Sequence, residues 1–275
     1  PRAIMRSFIL FALIAAASAW PSLDDCGTSQ YPDAGTPQST YIVGGQESRE
    51  NEFPYQVSLK VTTGSLFCGG SIIGARHVLT AAHCTSGRTP ANIIVGLGEH
   101  DRASGGVDFA VETINQHPQY NPSTIANDVT VLILRDTIAE DDTMRSVCPP
   151  STVAPGNADG YAGLDLIVSG WGTLSESGSL APRLNFVEVQ GLTIAACRAS
   201  SYPASWIEDG MNCAGVTGGG ADACQGDSGG PLVYKNGNAF EEVGIVSWGQ
   251  GCARDGYPGV YADTIYYLDW IASNM

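Results

Sequence analysis

The sequence predicts an all-β fold, a sandwich or a pair of barrels, and three observations lead there. Short apolar runs recur between turn residues from residue 42 onward, several of them alternate with period two, and glycine is abundant at 34 of 275 residues. In order the runs are YQVSLKV from Tyr55, GSIIG from Gly70, NIIVGLG from Asn92, DVTVLIL from Asp128, LDLIVSG from Leu164, LNFVEVQGL from Leu184, PLVY from Pro231, EEVGIVSWG from Glu241 and GVYA from Gly259. Each is bounded by Gly, Pro, Asn or Asp, which end a strand and open a turn. Only the end reads as helical, with Ile265, Leu268 and Ile271 or Ala272 at helical spacing.

Composition bounds the function. With 43% hydrophobic and 15% charged residues the chain has material for a sizeable core and is neither disordered nor a coiled coil. The net charge of −15 excludes general nucleic-acid binding, which needs a basic surface. It fits a protein kept in solution by its acidity, one that could also attract basic substrates. Met5-Arg6 precede the apolar run Phe8 to Ala17, and Ala17-Ser18-Ala19 offers a small-x-small cleavage site. The run is shorter than the ~20 residues of a membrane span. Residues 1–19 are therefore read as leader (1–4) and signal peptide, and the product as secreted, with no membrane association. Residues 20–41 are polar and turn-rich and are expected to be a loose segment outside the core. The eight cysteines, Cys26, Cys68, Cys84, Cys148, Cys197, Cys213, Cys224 and Cys252, are an even set without any C-x-x-C pair, so disulfides are expected and a metal is not. Asn121-Pro122-Ser123 is disqualified as a glycosylation acceptor by its proline.

Three segments carry chemistry. TAAHC places His83 beside a cysteine, and NDVTVLIL places Asp128 at the mouth of an apolar strand, where a carboxylate must find a donor or reach water. Taken singly, each reads more readily as an ordinary structural residue. CQGDSGGP differs: glycines around Ser228 let successive N–H groups point at one spot, an arrangement suited to an oxyanion. Together they supply a serine nucleophile, a histidine base and an orienting aspartate.

At this point the chain resembles the chymotrypsin-type serine proteases, and among them the trypsin-like ones. IVGG, CGGSII, TAAHC, NDVTVLIL, SGWGT, CQGDSGGP and VSWGQGC with YPGVY match the family pattern in order between residues 42 and about 261. The resemblance implies two six-stranded antiparallel β-barrels, roughly 42–150 and 151–262, with the active site in the cleft between them and a C-terminal helix completing a protease domain over 42–275. It implies His83 as general base and then acid, Asp128 as its orienting partner and Ser228 as nucleophile. The N–H groups of Gly226 and Ser228 become the oxyanion hole, Ser247 a support for Asp128, and Ser247-Trp248-Gly249 the strand that pairs with substrate. It also implies Cys68–Cys84, Cys197–Cys213 and Cys224–Cys252, each contributing ~2–4 kcal/mol. Cys26–Cys148 follows as the fourth pair, the alternative being a Cys26 that joins another chain.

The same resemblance places Asp222, six residues before the nucleophile, at the base of the specificity pocket, with Gly249 and Gly259 as open wall positions. A buried carboxylate there selects Arg or Lys. Ala223, where trypsin has serine, removes a hydroxyl that helps hold lysine, so Arg is expected over Lys. Chymotrypsin-like or elastase-like specificity is disfavoured by Asp222, and an inactive homologue by the intact triad. In the family, a cut before Ile42 frees an ammonium that pairs with the acid preceding the nucleophile, here Asp227. The residue before the cut is Tyr41, where Arg or Lys is usual, so a chymotrypsin-like protease is expected to activate the zymogen. Protein and peptide substrates and protein protease inhibitors are the expected partners of a monomeric enzyme without cofactors. No strong calcium requirement is expected: the loop GLGEHDRASGGVDF keeps Glu99, but it is short and has Val107 where a second acidic ligand belongs.

Overall fold

The computed structural model describes residue 20 and residues 26–37, 45–151, 160–216, 218–220 and 222–275. A two-residue strand β1 (Gln46–Glu47) comes first. It is followed by β2 (Gln56–Lys60), β3 (Leu66–Gly74), β4 (His77–Thr80), β5 (Ile94–Leu97), β6 (Val107–Gln116) and β7 (Thr130–Leu134). These six close into an antiparallel barrel in the order β2-β3-β4-β7-β6-β5. Next come β8 (Asp165–Gly170), β9 (Asn185–Leu192), β10 (Met211–Gly215), β11 (Pro231–Asn236), β12 (Ala239–Trp248) and β13 (Gly259–Asp263). They run β9-β10-β13-β12-β11-β8, and β8 pairs back onto β9, closing a second barrel to whose β9 strand β1 adds an edge. Closure removes the strand edges that an acidic surface alone would not protect.

Every apolar run read from the sequence overlaps one of these strands. Inward residues such as Val57, Leu59, Ile72, Leu132 and Leu134 are fully buried, as are Leu232, Ile245 and Tyr261 in the second barrel. Each contributes roughly 1.5–3 kcal/mol by burial. The expected C-terminal helix is α3 (Leu268–Ala272), with Ile271 buried. Two further one-turn helices, α1 (Ala82–Thr85) and α2 (Ile194–Arg198), are too short to show a helical period. Thr193 caps α2, its Oγ1 accepting from Ala196 N–H at 3.0 Å.

All four disulfides form, Cys26–Cys148, Cys68–Cys84, Cys197–Cys213 and Cys224–Cys252. The expectation of a loose segment before Ile42 does not hold for residues 26–37. Cys26 and Ala34 are fully buried. Gly27 N–H donates to Ser146 O (2.7 Å), and Gly27 O accepts from Phe240 N–H (2.8 Å). Lys235 Nζ donates to Ala34 O (2.8 Å). Arg49 pairs with Asp33 at 2.9 Å and lies 4.1 Å from the Tyr31 ring centroid. Low hydrophobicity concealed this docking, because backbone amides and two side-chain cations carry most of it.

Glu99, in the loop considered for calcium, accepts from Ser58 Oγ (2.6 Å) and from Lys60 Nζ (2.7 Å), and the same ammonium reaches Asp108 at 2.5 Å. Burial opposes the charge on Lys60, but the bonds to Asp108 and Glu99 outweigh it and raise its pKa. A cation from the chain itself thus bridges these two carboxylates.

Between the barrels, Ser71 Oγ of β3 donates to Glu242 Oε2 of β12 at 2.5 Å. Among the described residues, Glu242 Oε1 and the nearby Tyr55 hydroxyl have no partner, and no cation faces them. Burial pushes the Glu242 carboxyl up to about 8. Below its ordinary value of 4.5 the acid is protonated folded or unfolded. Between 4.5 and about 8 only the folded chain keeps the proton, so this group's contribution to stability falls as pH rises. Glu242→Gln keeps an acceptor for Ser71 and removes that slope. Its stabilisation over the parent is expected to grow between about pH 5 and about pH 8.5 in urea unfolding, and an equal difference at both ends would refute the assignment.

Candidate active site

The cleft between the barrels gathers the three chemical segments. His83 lies in α1, one turn after β4, and its main-chain N–H donates to Asp128 Oδ1 at 2.7 Å. Its ring Nδ1 is 2.7 Å from Asp128 Oδ2. Asp128 is buried and also accepts from Ser247 Oγ at 2.5 Å. A carboxylate so placed fixes the proton on Nδ1 and leaves the Nε2 lone pair free to act as a base. The remaining histidines lie elsewhere: His77 is in β4, His100 is beside Ser48, and His117 packs against Tyr267 and Trp270.

Ser228 sits on a loop pinned from both barrels. Its carbonyl accepts from Gly69 N–H of β3 (2.7 Å), while Gly229 N–H donates to Val246 O (2.8 Å) and Gly230 N–H to Asp227 O (2.8 Å). Gly226 has φ +102°, a left-handed conformation that a side chain would resist. Among the described residues, the N–H groups of Gly226 and Ser228 have no internal acceptor, as an oxyanion hole requires. Cys84 Sγ stands 3.6 Å from His83 Nε2 and 3.6 Å from the main-chain Ser228 O, so His83 and the Ser228 loop flank the Cys68–Cys84 bridge. His83 and Ser228 share no direct hydrogen bond here. Such bonds are often long without substrate and tighten when it binds. Cys68, His83 and Cys84 bring potential ligand atoms within 4.8 Å of one another, but the two sulfurs are bonded together and offer no thiolate to a metal.

One cavity of about 230 Å³ opens beside Ser228, and it is lined by all six residues the sequence assigns to substrate: Asp222, Ala223, Ser247, Trp248, Gly249 and Gly259. Asp222 Oδ1 accepts from Ala223 N–H (2.8 Å), and Oδ2 from Ala253 N–H at a long 3.4 Å. Burial raises its carboxyl to about 7, against the two amides, and Asp227 adds to the rise. A Cβ on Gly259 would lie 2.7 Å from Asp222 Oδ1, so any side chain there would cover the carboxylate. At Gly249 the nearest atom to an added Cβ is 3.8 Å away, which leaves the entrance open.

A second cavity, also of about 230 Å³, lies against Asp227, Gly170 and Gly172. Asp227 accepts from Gly172 N–H (2.7 Å) and Cys224 N–H (3.0 Å), and burial lifts it to about 6. Tyr41 and Ile42 lie outside the described residues. Sequence reasoning missed Gly172 as an Asp227 donor, although it lies inside the SGWGT motif. It also missed Tyr202, whose hydroxyl donates to Pro258 O (3.0 Å), accepts from Gln250 N–H (2.9 Å) and whose ring braces Trp248 at 5.0 Å. No sequence signal marked Tyr202, because its partners are 46 to 56 residues away.

Two closed β-barrels holding a Ser-His-Asp constellation in their cleft define the chymotrypsin-type serine endopeptidases. A profile of the trypsin family matches residues 42–271, and the chain belongs to that family. It is similar to Trypsin 5G1 of Aedes aegypti, with 41% identity over 231 residues covering 84% of this chain and 83% of the relative. Trypsin delta of Drosophila melanogaster is 40% identical over 235 residues, covering 85% and 88%. Trypsin-1 of Astacus astacus is 38% identical over 244 residues, covering 85% and 99%. The chain is thus a trypsin-like serine endopeptidase, acting on proteins and open to protein protease inhibitors.

Proposed function

We propose that this endopeptidase cleaves after Arg, and less well after Lys, and that it is secreted as a zymogen, with 1–19 as leader and signal peptide, 20–41 as propeptide and 42–275 as a monomeric protease domain. The observation that carries the specificity is the half-buried Asp222 carboxyl at the cavity floor, which among the described residues has no cation paired to it. An arriving guanidinium supplies that cation through a bidentate fork, and Ala223 offers a lysine ammonium no hydroxyl. Ser228 attacks the scissile carbonyl and His83 Nε2 takes the hydroxyl proton, then returns it to the leaving amine. Asp128 holds the imidazolium, and the two free N–H groups receive the oxyanion. The substrate backbone before the cut pairs with residues 247–249. Secretion is supported by the apolar run and small-x-small site within 1–19, a stretch that lies outside the described residues. No helix among the described residues is long and apolar enough to cross a membrane.

Matched peptides differing only at P1 test this reading through kcat/KM. Arg is expected to exceed Lys, and both to exceed Phe and Leu. Asp222→Asn is expected to lower the Arg rate on the order of 100-fold, because the guanidinium is left desolvated without its partner. A Lys rate at or above the Arg rate would remove the Ala223 argument, and a faster Phe substrate the Asp222 argument.

A further inference from the structure

Ile42 stands three residues before Gly45, a reach of roughly 10 Å even when extended. Where Gly45 is held therefore decides whether an α-ammonium at Ile42 meets Asp227. A Cβ on Gly45 would lie 2.7 Å from Phe186 O, so the chain runs tight against β9 there. β1 then pairs Gln46 with Phe186 and Glu47 with Asn185, and Ser48 N–H donates to Leu184 O (2.9 Å). Asn185 and Phe186 also line the cavity against Asp227, so β1 lies along its rim. A polar strand of two residues fixes its own register weakly. The Glu47–Arg183 pair (3.0 Å) is half exposed on both sides and adds little. The firm hold comes two residues further on. Glu52, 2% exposed, accepts from Arg49 N–H (2.7 Å), Arg49 Nη2 (3.0 Å) and Gly35 N–H (2.9 Å). Arg49 Nη1 reaches Asp33 at 2.9 Å, and the Tyr31 hydroxyl donates to Glu50 O (3.1 Å). The segment that grips Arg49 is in turn fixed by Lys235 of β11, whose Nζ donates to Pro32 O (3.0 Å) and Ala34 O (2.8 Å).

We propose that Arg49 is a positioning residue for catalysis, through which residues 26–37 hold β1 where the Ile42 terminus reaches Asp227. This rests on the Tyr41–Ile42 cut proposed above. The segment tethered by Cys26–Cys148 then acts as an internal activator of the cut enzyme. One planar fork serves Asp33 on one side and Glu52 on the other, which a lysine ammonium in the same place does less well.

The test uses the full chain, cut with chymotrypsin before Ile42, with the small chain still disulfide-linked. Two quantities are read: kcat/KM per molecule on an Arg peptide, and labelling of the Ile42 α-amine by an amine-reactive reagent. Mass spectrometry reports the label, with the α-amine of the small chain as internal control, and urea unfolding confirms that each variant is folded. Arg49→Gln is expected to lower kcat/KM by about tenfold, since it leaves the Glu52 carboxylate without its charged donor. Asp33→Asn should cost about threefold, as befits a half-exposed pair. The two changes together should cost no more than Arg49→Gln alone, because Asp33 acts through Arg49. Arg49→Lys should fall between parent and Arg49→Gln. In each variant the Ile42 amine should label faster by a factor similar to the loss of rate. A loss of rate with Ile42 no more open to label than in the parent makes Arg49 merely structural and overturns the proposal. So does Asp33→Asn without effect, and that exposed change carries the test if Arg49→Gln does not fold. A fully active parent whose Ile42 amine labels as fast as the control overturns the activation reading and this inference with it.

Discussion

Ser228→Ala is expected to lower kcat by about 10⁶-fold, by analogy with the loss seen when another serine protease loses its nucleophile, with little change in substrate affinity. The cavity does not depend on the hydroxyl, since Asp222, Trp248, Gly249 and Gly259 stay in place. The main-chain N–H of residue 228 also survives the change, so the oxyanion donors persist and some catalysis over water remains. His83→Ala should cost about as much, and the double variant little more, because neither group works without the other. Single-turnover kinetics on an Arg ester, together with binding of a protein inhibitor to the silent variant, separate the loss of chemistry from a loss of fold. A variant that binds the inhibitor yet keeps more than ~1% of kcat would place the nucleophile elsewhere.

Much of this site is legible in the sequence. Asp128 lies two residues before β7, Ser247 lies near the end of β12, and their hydrogen bond crosses 119 residues, yet each sits in one of the ordered motifs on which the family resemblance rests. The strands were legible for a different reason: the alternation of Val57 and Leu59 marks the face that enters the barrel core, although Gln56 and Ser58 on the other face are buried as well. What escaped was either too short for any period, as in α1 and α2, or decided by a distant partner. Glu242 reads as an ordinary acid beside Glu241. Its neighbour is saturated by Ser151, Tyr161 and Asn236, whereas Glu242 meets only Ser71 across the barrel interface. Residues 26–37 misled for the converse reason. A polar, turn-rich composition looked solvent-loving, but its amides and carbonyls are consumed by Ser146, Phe240, Lys235 and Glu52.

Cleavage of Tyr41–Ile42 is expected to switch the enzyme on, and Asp227→Asn to leave the cleaved protein silent. The Asp227 carboxyl has two amide donors, a cavity beside it and, among the described residues, no cation. That imbalance is why burial holds it near 6. An α-ammonium at Ile42 would complete the pair and hold the loop of Gly226 and Ser228, which directly adjoins Asp227, in its working conformation. A buried pair broken on one side costs ~3–5 kcal/mol, so activity of the cut Asp227→Asn protein should fall on the order of 10³-fold. The same physics decides which protease makes the cut. Tyr41 brings a phenol to a pocket floored by Asp222 and gives its carboxylate no cation, so the enzyme should not process its own zymogen, whereas chymotrypsin should. Silent Ser228→Ala zymogen, mixed with active enzyme or with chymotrypsin and followed by N-terminal sequencing, tests both halves. Efficient release of Ile42 by the enzyme itself refutes the pocket argument, and a natural cut after Arg49 refutes the switch. Arg49 is a poor site for such a cut, since its guanidinium is shared between Asp33 and Glu52 and stacked on Tyr31. After the Tyr41–Ile42 cut, Cys26–Cys148 and the backbone bonds of Gly27 should keep the small chain on the enzyme, and its loss under non-reducing conditions would show that these contacts do not hold.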